Sequence, residues 1–236
     1  MPDFLLEDLV LSRTEGDVFF VAGVDEVGMG ALAGPIVAAA VVLVTSSLGY
    51  GGDQWFAGID DSKKLSPKRR EQLYGTIMSR AVAIGIGLAT NTEIDDVGLM
   101  TAHGRALIMA FEECRRELSA ESRQKTKKGY ASNKADLVAV VDGEYLDFLR
   151  EELGGDASIF CDKADSKSYS VAAASIVAKV TRDRYMAGEV PKGVHRGFSW
   201  GSHKGYGTKR HMEELYLYGP TPLHRLSFSP CKKAQK

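Results

Sequence analysis

At 236 residues, 44% apolar and 26% charged, the chain has the composition of a globular protein with enough apolar material for an unaided core. Its three cysteines, Cys114, Cys161 and Cys231, are odd in number and far apart, which argues against a disulfide framework and a zinc site and for a reducing compartment. The longest apolar run, about residues 35–44, is too short to span a bilayer. Met1-Pro2-Asp3-Phe4 lacks the basic start of a secretory signal, so the expected location is the cytoplasm.

In chain order, residues 18–24 and 36–44 read as two buried strands joined by a glycine-rich turn, followed by a Gly, Ser and Asp-rich loop over 45–61. Ser66-Pro67 opens a helix, with serine as N-cap and proline at the first helical position. Leu73, Ile77, Met78 and Ala81 are assigned to its inner face. Residues 83–89 form a strand whose alternate Gly85 and Gly87 suggest close packing above that face. A short acidic helix over 92–96 and a longer one over about 99–118 precede the apolar strand 137–141, which ends in Asp142-Gly143. Residues 144–153 read as helix, 158–161 as strand, 168–187 as an alanine-rich helix and 208–218 as a further helix after an aromatic, glycine-rich stretch over 197–207. No repeat interrupts this order. It describes an α/β domain with a mainly helical carboxyl end.

The net charge of −1 hides two basic stretches: residues 122–134 carry five Lys or Arg and no acid, and residues 190–236 carry nine against Glu213 and Glu214. Basic regions apart from a cluster of acids suit a polyanion held by its backbone near a metal. The acids are Asp25 and Glu26, at the end of the first strand, Asp142, at the end of the 137–141 strand, and Asp183, near the end of the alanine-rich helix. Alone, an Asp-Glu pair at a strand end is ordinary solvated charge. Adjacent strand residues point to opposite faces, so the pair serves one site only if the strand ends or kinks there. Were the two strands neighbours, Asp25, Glu26 and Asp142 would converge where open α/β sheets form their sites. Converging carboxylates with room for water and phosphate are a Mg²⁺ or Mn²⁺ arrangement, and two such ions can clamp a phosphodiester.

Six ordered segments across residues 20–230 make the chain similar to ribonuclease HII: Ala22-Gly23-Val24-Asp25-Glu26-Val27-Gly28-Met29-Gly30 with Gly34-Pro35, Asp61-Ser62-Lys63-Lys64-Leu65, Val141-Asp142-Gly143, Lys163-Ala164-Asp165-Ser166, Ala174 through Asp183, and His203-Lys204-Gly205-Tyr206-Gly207-Thr208. The resemblance implies one RNase H-like domain, an α/β core with a mixed central sheet flanked by helices, and residues 190–236 as a helical, basic substrate-binding region. It implies Asp25, Glu26, Asp142 and Asp183 as catalytic, metal-binding carboxylates for two Mg²⁺ or Mn²⁺ ions. The implied substrates are RNA–DNA hybrids and ribonucleotides embedded in duplex DNA, as in ribonucleotide excision during replication and repair. Cleavage falls 5′ of the ribonucleotide, leaving a 3′-hydroxyl and a 5′-phosphate.

By the same resemblance Gly28, Met29 and Gly30 read the ribose 2′-hydroxyl through backbone groups, and Tyr206 packs on the following sugar. Ser62, Lys63 and Ser175 contact phosphates or shape the site. The family's turn is usually Gly-Arg-Gly. Met29 replaces the arginine and cannot donate a hydrogen bond or pair with phosphate, so junction preference is the function it touches.

Ribonuclease HIII is the nearest alternative, but about twenty residues before the first strand and an aspartate as fourth acid favour HII. The presence of all four acids counts against a binding protein without chemistry. Other residues take bland roles: His103, His195, His203, His211 and His224 are assigned to the surface or to phosphates, Asp60, Asp95, Asp96 and Asp147 to solvation or capping, Trp200 to packing or base stacking. Asp165 stands beside the site but outside the catalytic set, and a monomer is the expected state.

Overall fold

A computed structural model describes residues 1–14, 19–43, 55–125, 136–143, 149–189 and 197–235. Five strands form one mixed sheet in the order β3-β2-β1-β4-β5, with β1 Phe19–Val27, β2 Ile36–Val42, β3 Ala83–Ala89, β4 Asp136–Asp142 and β5 Ile159–Cys161. The first three strands form an antiparallel meander, and β4 and β5 add in parallel beyond β1. The expected α/β architecture with a mixed sheet flanked by helices is the one observed.

Helix α1 (Leu5–Leu11) precedes the sheet, and α2 (Pro67–Arg80), α3 (Asn91–Val97), α4 (Leu99–Lys125) and α5 (Tyr169–Arg184) flank it. Ser66, Thr90 and Ser168 cap α2, α3 and α5 by accepting from backbone N–H groups three residues on. On one face, Ala22, Val24, Ala38 and Ala40 pack with Ala102, Ala106, Ala110 and Phe111 of α4. On the other, Ala39 and Val41 pack with Ala172, Ala173, Ile176 and Val177 of α5. A Cβ on Gly85 would stand 1.9 Å from the Ala110 carbonyl oxygen and one on Gly87 2.0 Å from that of Ala106. The glycines therefore set how closely α4 lies on β3. Gly23 does the same for α5, its Cβ position falling 2.1 Å from the Val171 nitrogen.

Beyond α5 the chain makes a π-helical turn, Tyr185–Glu189, then α6 (Trp200–His203), α7 (Lys209–Tyr218) and α8 (Ser229–Ala234). This region has its own core of Met186, Phe198, Trp200, Leu215, Leu223 and Cys231, closed over Leu32 and Ala33. Trp200 is thus a core residue and takes no part in base stacking. Among the described residues no helix is long and apolar enough to cross a membrane.

Three local readings need correction. Met78 is 43% exposed, because it flanks Ile77 by one residue and so turns about 100° away from the buried stripe. In the expected 144–153 helix, residues 144–148 lie outside the described residues, Leu149 is 3-10 helical and 150–153 are turn. The α-helix expected to run to residue 187 ends at Arg184, where the π-helical turn begins. Residues 126–134 of the first basic stretch, and 45–54 of the long loop, also lie outside the described residues.

Two alanine substitutions test this packing with opposite signs. Gly85→Ala should lower unfolding free energy by about 1–3 kcal/mol, since α4 backbone must move. Gly75→Ala, in mid-α2 with nothing within 4 Å of its Cβ position, should raise it by about 0.5–1 kcal/mol. Urea unfolding of both variants against the parent decides it.

Candidate active site

The register of the central strands places the acids. Val24 of β1 lies opposite Val141 of β4 in the parallel pair, so the next residues along, Asp25 and Asp142, stand side by side at the carboxyl ends of both strands. Asp25 shares the α5 face with Gly23, and Asp142 shares a face with Val138 and Val140, which pack against Val171 of α5. Glu26, one residue on, takes the opposite, α4 face. There its Oε2 is 3.1 Å from Nε2 of His103. The strand neither ends nor kinks at the pair: β1 continues to Val27. The two carboxylates meet at one cleft because both project at the sheet's end, from opposite sides of a continuous strand. Both line it, with Ser62, Lys63, Arg70, Ser175, Lys179 and Tyr206.

The acids crowd one another. Asp25 is 5% exposed, and its carboxyl is pushed well above the ordinary range by burial first, then by Glu26 and Asp142. Its Oδ1 accepts the Glu26 backbone N–H at 2.7 Å. Asp142 is raised to about 6, chiefly by burial, with Asp165 and Glu26 adding to the rise. It accepts the Ala164 N–H at 2.7 Å. Asp165, 2% exposed, repels both and pairs with Lys63 Nζ at 3.2 Å. Asp183 stands apart from this group: its Oδ1 is held by Lys179 Nζ at 2.9 Å, one helical turn back on α5.

Hard oxygen donors that repel one another at a buried strand end fit a divalent cation, which would offset the charge that burial and crowding make costly. Each acid also has a protein contact, Asp142 with Ala164, Glu26 with His103, Asp183 with Lys179. Consistent with those contacts, among the described residues no three acidic, histidine or cysteine side chains are grouped to hold one ion.

The cleft's remaining wall is polar and basic. Ser62 and Ser175 hydrogen-bond through their hydroxyls at 2.7 Å, tying the 61–65 loop to α5. Arg70 donates to the carbonyls of Ser62 and Leu65 at 2.8 and 2.6 Å, fixing that loop from α2. The Tyr206 ring lies against two cations, 5.5 Å from Lys179 Nζ and 5.0 Å from the Arg182 guanidinium carbon. Tyr206 also bridges by backbone to Ala31, next to the glycine turn.

That turn is braced by two buried arginines. Gly28 has a φ of 102°, and a Cβ there would fall 2.4 Å from Arg182 Nε. Arg182 donates to the carbonyls of Pro35, Lys204 and Ala33 at 2.8, 2.9 and 3.0 Å. Arg225 donates to Gly28 at 2.7 Å, Met29 at 2.8 Å, and Gly34 at 3.0 and 3.1 Å. The Met29 side chain packs on the α4-side core, and Gly30 is exposed.

Sequence reasoning missed Lys179, Arg70, Arg182, Arg225 and His103. Lys179 and Arg182 lie one face along from Ser175 and Asp183 within a segment already singled out, so helical spacing could have found them. Arg225, nearly two hundred residues from the turn it braces, carries no local signal. The histidines are also not at the surface. His103, His203, His211 and His224 are buried, while His195 lies outside the described residues. His203 and His211 stack at 4.1 Å, His211 and His224 approach at 3.1 Å, and burial depresses both His211 and His224 to about 4. The terminal segment packs too, with Cys231 and Ala234 of α8 buried.

Comparisons with known proteins agree on one family. The model of the family described as Ribonuclease HII matches residues 22–231. The ribonuclease HII of Listeria monocytogenes serotype 4a is 38% identical over 230 residues, covering 95% of this chain and 76% of its own. That of Bacillus subtilis is 39% identical over 223 residues, covering 94% and 74%. The crystal structure of ribonuclease H2 from Pyrococcus horikoshii OT3 matches with a TM-score of 0.65 at 25% identity, over 91% of this chain and 96% of that one. A Bst-RNase HIII solved in complex with Mn²⁺ shares the fold at a TM-score of 0.53 and 21% identity, over 96% of this chain and 71% of that one.

The raised carboxyl of Asp142 gives a stability test. Its folded value of about 6 exceeds the ordinary carboxylate value of 3.8, so above pH 6 the charged group costs the fold free energy, and protonation relieves that cost as pH falls toward 3.8. Asp142→Asn, in chelator, should therefore be more stable than the parent at pH 7.5 by on the order of 1–3 kcal/mol, with the gain fading below pH 6. His211 and His224 act with opposite sign, destabilising the fold as pH drops from 6.5 toward 4, but they act on parent and variant alike. Paired urea titrations at both pH values isolate the difference; an equal gain at pH 7.5 and 5 would contradict the assigned shift.

Proposed function

Because the chain belongs to the ribonuclease HII family and is thereby a ribonuclease H endonuclease, we propose that it hydrolyses the RNA strand of RNA–DNA hybrids and nicks duplex DNA 5′ of embedded ribonucleotides, leaving a 3′-hydroxyl and a 5′-phosphate. The observation that carries this reading is the mutually repelling set of buried Asp25 and half-buried Glu26 and Asp142, the first two of which line a cleft walled by Lys63, Arg70 and Lys179. In this reading Asp25, Glu26, Asp142 and Asp183 hold two Mg²⁺ or Mn²⁺ ions. When bound, such ions make water nucleophilic at neutral pH and stabilise charge on the scissile phosphate.

The chain's own residues do the rest. Lys63, Lys179 and Arg70 attract and orient the phosphate backbone toward the acids, while Ser62 and Ser175 offer hydroxyls to its oxygens. Lys179 has two possible anions: Asp183 and a phosphate entering beside Tyr206. A phosphate that engages Lys179 frees Asp183 to turn toward the other carboxylates. The backbone of Gly28, Met29 and Gly30, with the carbonyls of Gly28 and Met29 taken by Arg225, presents fixed groups to the ribose 2′-hydroxyl, the group that separates RNA from DNA. Tyr206, held on Lys179 and Arg182 beside that turn, gives the next sugar a flat surface. The basic region 190–236 is assigned to the flanking duplex.

A DNA duplex with one ribonucleotide, incubated with and without Mg²⁺ beside a continuous RNA–DNA hybrid, tests the reading. A metal-dependent nick on the 5′ side is expected, and its absence would sink the proposal. Asp25→Asn should reduce the single-turnover rate by at least about a thousandfold while duplex affinity stays within about threefold; retained cleavage would remove Asp25 from the chemistry.

Met29→Arg should raise the ratio of cleavage at a single ribonucleotide to cleavage of the continuous hybrid. The added guanidinium restores a phosphate partner at the turn. An unchanged ratio, measured by single-turnover kinetics on both substrates, assigns the reading to backbone groups alone.

A further inference from the structure

One buried polar side chain next to the acids has no part in the chemistry described above. His103 sits in the second turn of α4, 5% exposed, on the face that packs Ala102, Ala106 and Leu107 against the sheet. Neither of its ring nitrogens makes a hydrogen bond of ordinary geometry. Burying an imidazole with both nitrogens unsatisfied costs about 1–3 kcal/mol for each group left unpaired, a cost that leucine in the same space would not incur. Nε2 nevertheless lies 3.1 Å from Glu26 Oε2, within hydrogen-bond distance although off the favoured line. Catalytic contacts of this kind are commonly misaligned in the free enzyme and tighten with ligand.

The position of Glu26 explains why such a partner is useful. Asp25 and Asp142 project from the α5 side of the sheet, whereas Glu26 projects from the α4 side and must reach round the strand end to join them. A glutamate with three rotatable bonds loses side-chain entropy when held to one rotamer. A fixed N–H on the α4 side can select the rotamer in advance.

We propose that His103 is a positioning residue for Glu26: its Nε2–H donates to Oε2, so that Oε1 stays turned toward the cleft. The proposal rests on Glu26 being a metal ligand, as read above. His103 itself touches no substrate and moves no proton. Its place is that of a partner one step out from the ligand, and loss of such partners typically weakens metal affinity by about ten- to a hundredfold.

The test measures Mn²⁺ binding to the full chain by loss of the free-ion EPR signal, together with kcat and KM on a duplex containing one ribonucleotide. His103→Leu should weaken Mn²⁺ binding by about tenfold or more and lower kcat with KM for the duplex nearly unchanged. His103→Gln, which keeps an N–H donor, should recover most of both. Should the leucine variant not fold, His103→Met supplies the apolar comparison, being able to fill irregular space. If the parent binds Mn²⁺ and the apolar variant binds it equally well with the parent's kcat, His103 is core filling and the proposal falls alone. If the parent binds no Mn²⁺, the metal reading of Glu26 falls and this proposal with it. A glutamine variant no better than the apolar one overturns the hydrogen-bond role.

Discussion

The parallel pairing of β1 with β4 is the constraint on which the site depends. Its register puts Val24 opposite Val141, and therefore sets Asp25 beside Asp142 where both strands leave the core. Strand spacing of about 5 Å fixes the two backbones side by side, so only side-chain rotation can move the carboxylates apart without breaking ladder hydrogen bonds. Everything around them responds to that enforced proximity. Ala164 donates to Asp142, and Lys63 neutralises Asp165. The apolar runs that precede the acids make the arrangement affordable, since residues 21–24 and 137–141 are buried on both faces.

Crowding like charges at a buried edge sets stability against function. Burial and mutual repulsion raise Asp25 and Asp142, and with Asp142 at about 6 the fold at neutral pH holds a charge there that it would be more stable without. Elsewhere carboxyl groups meet hydrogen-bond donors rather than one another, although Glu7 Oε2 is left unpaired. Glu7 sits fully buried at the start of α5, with Oε1 accepting from the hydroxyls of Ser168 and Ser170 at 2.7 Å and from the Ser170 N–H at 3.0 Å. Asp95 accepts the N–H groups of Leu226 and Ser227, joining α3 to the carboxyl-terminal region. The contrast lies in the neighbours: like charges crowd at one strand end, whereas Glu7 and Asp95 face hydroxyl and backbone N–H donors.

What was legible in the sequence was whatever repeats at the period of an element or punctuates it. The apolar runs gave all five strands, Ser66-Pro67, Ser168 and Thr208 marked three helix starts, and Gly85 and Gly87 announced the close approach of α4. Acids at strand ends stood out because a polar letter follows an apolar run. The strand's course past Asp25 and Glu26 was not legible, because adjacency says that two side chains diverge but not that both can still reach one cleft. Buried histidines were equally hidden. His203, His211 and His224 belong to three separated segments and become a stacked core only when the carboxyl-terminal region closes. Arg225 reaches the glycine turn from 197 residues away, and no local pattern encodes that reach.

That long reach bears on what the side chain of Met29 contributes to the turn. The turn's shape does not depend on the side chain at 29. Gly28 supplies the positive φ, the carbonyls of Gly28, Met29 and Gly34 are held by Arg225, and those of Ala33 and Pro35 by Arg182. Backbone strands close it from outside, with Leu32 N–H donating to Gly205 and Gly34 N–H to Leu223, both at 2.8 Å. With its backbone fixed at so many points, the residue at 29 is free to vary, and here methionine packs on the α4-side core. Methionine at 29 therefore brings no charge to the turn and leaves its backbone bracing intact. Shape and charge at this turn are separately encoded: the first by two distant arginines and a glycine, the second by one variable side chain.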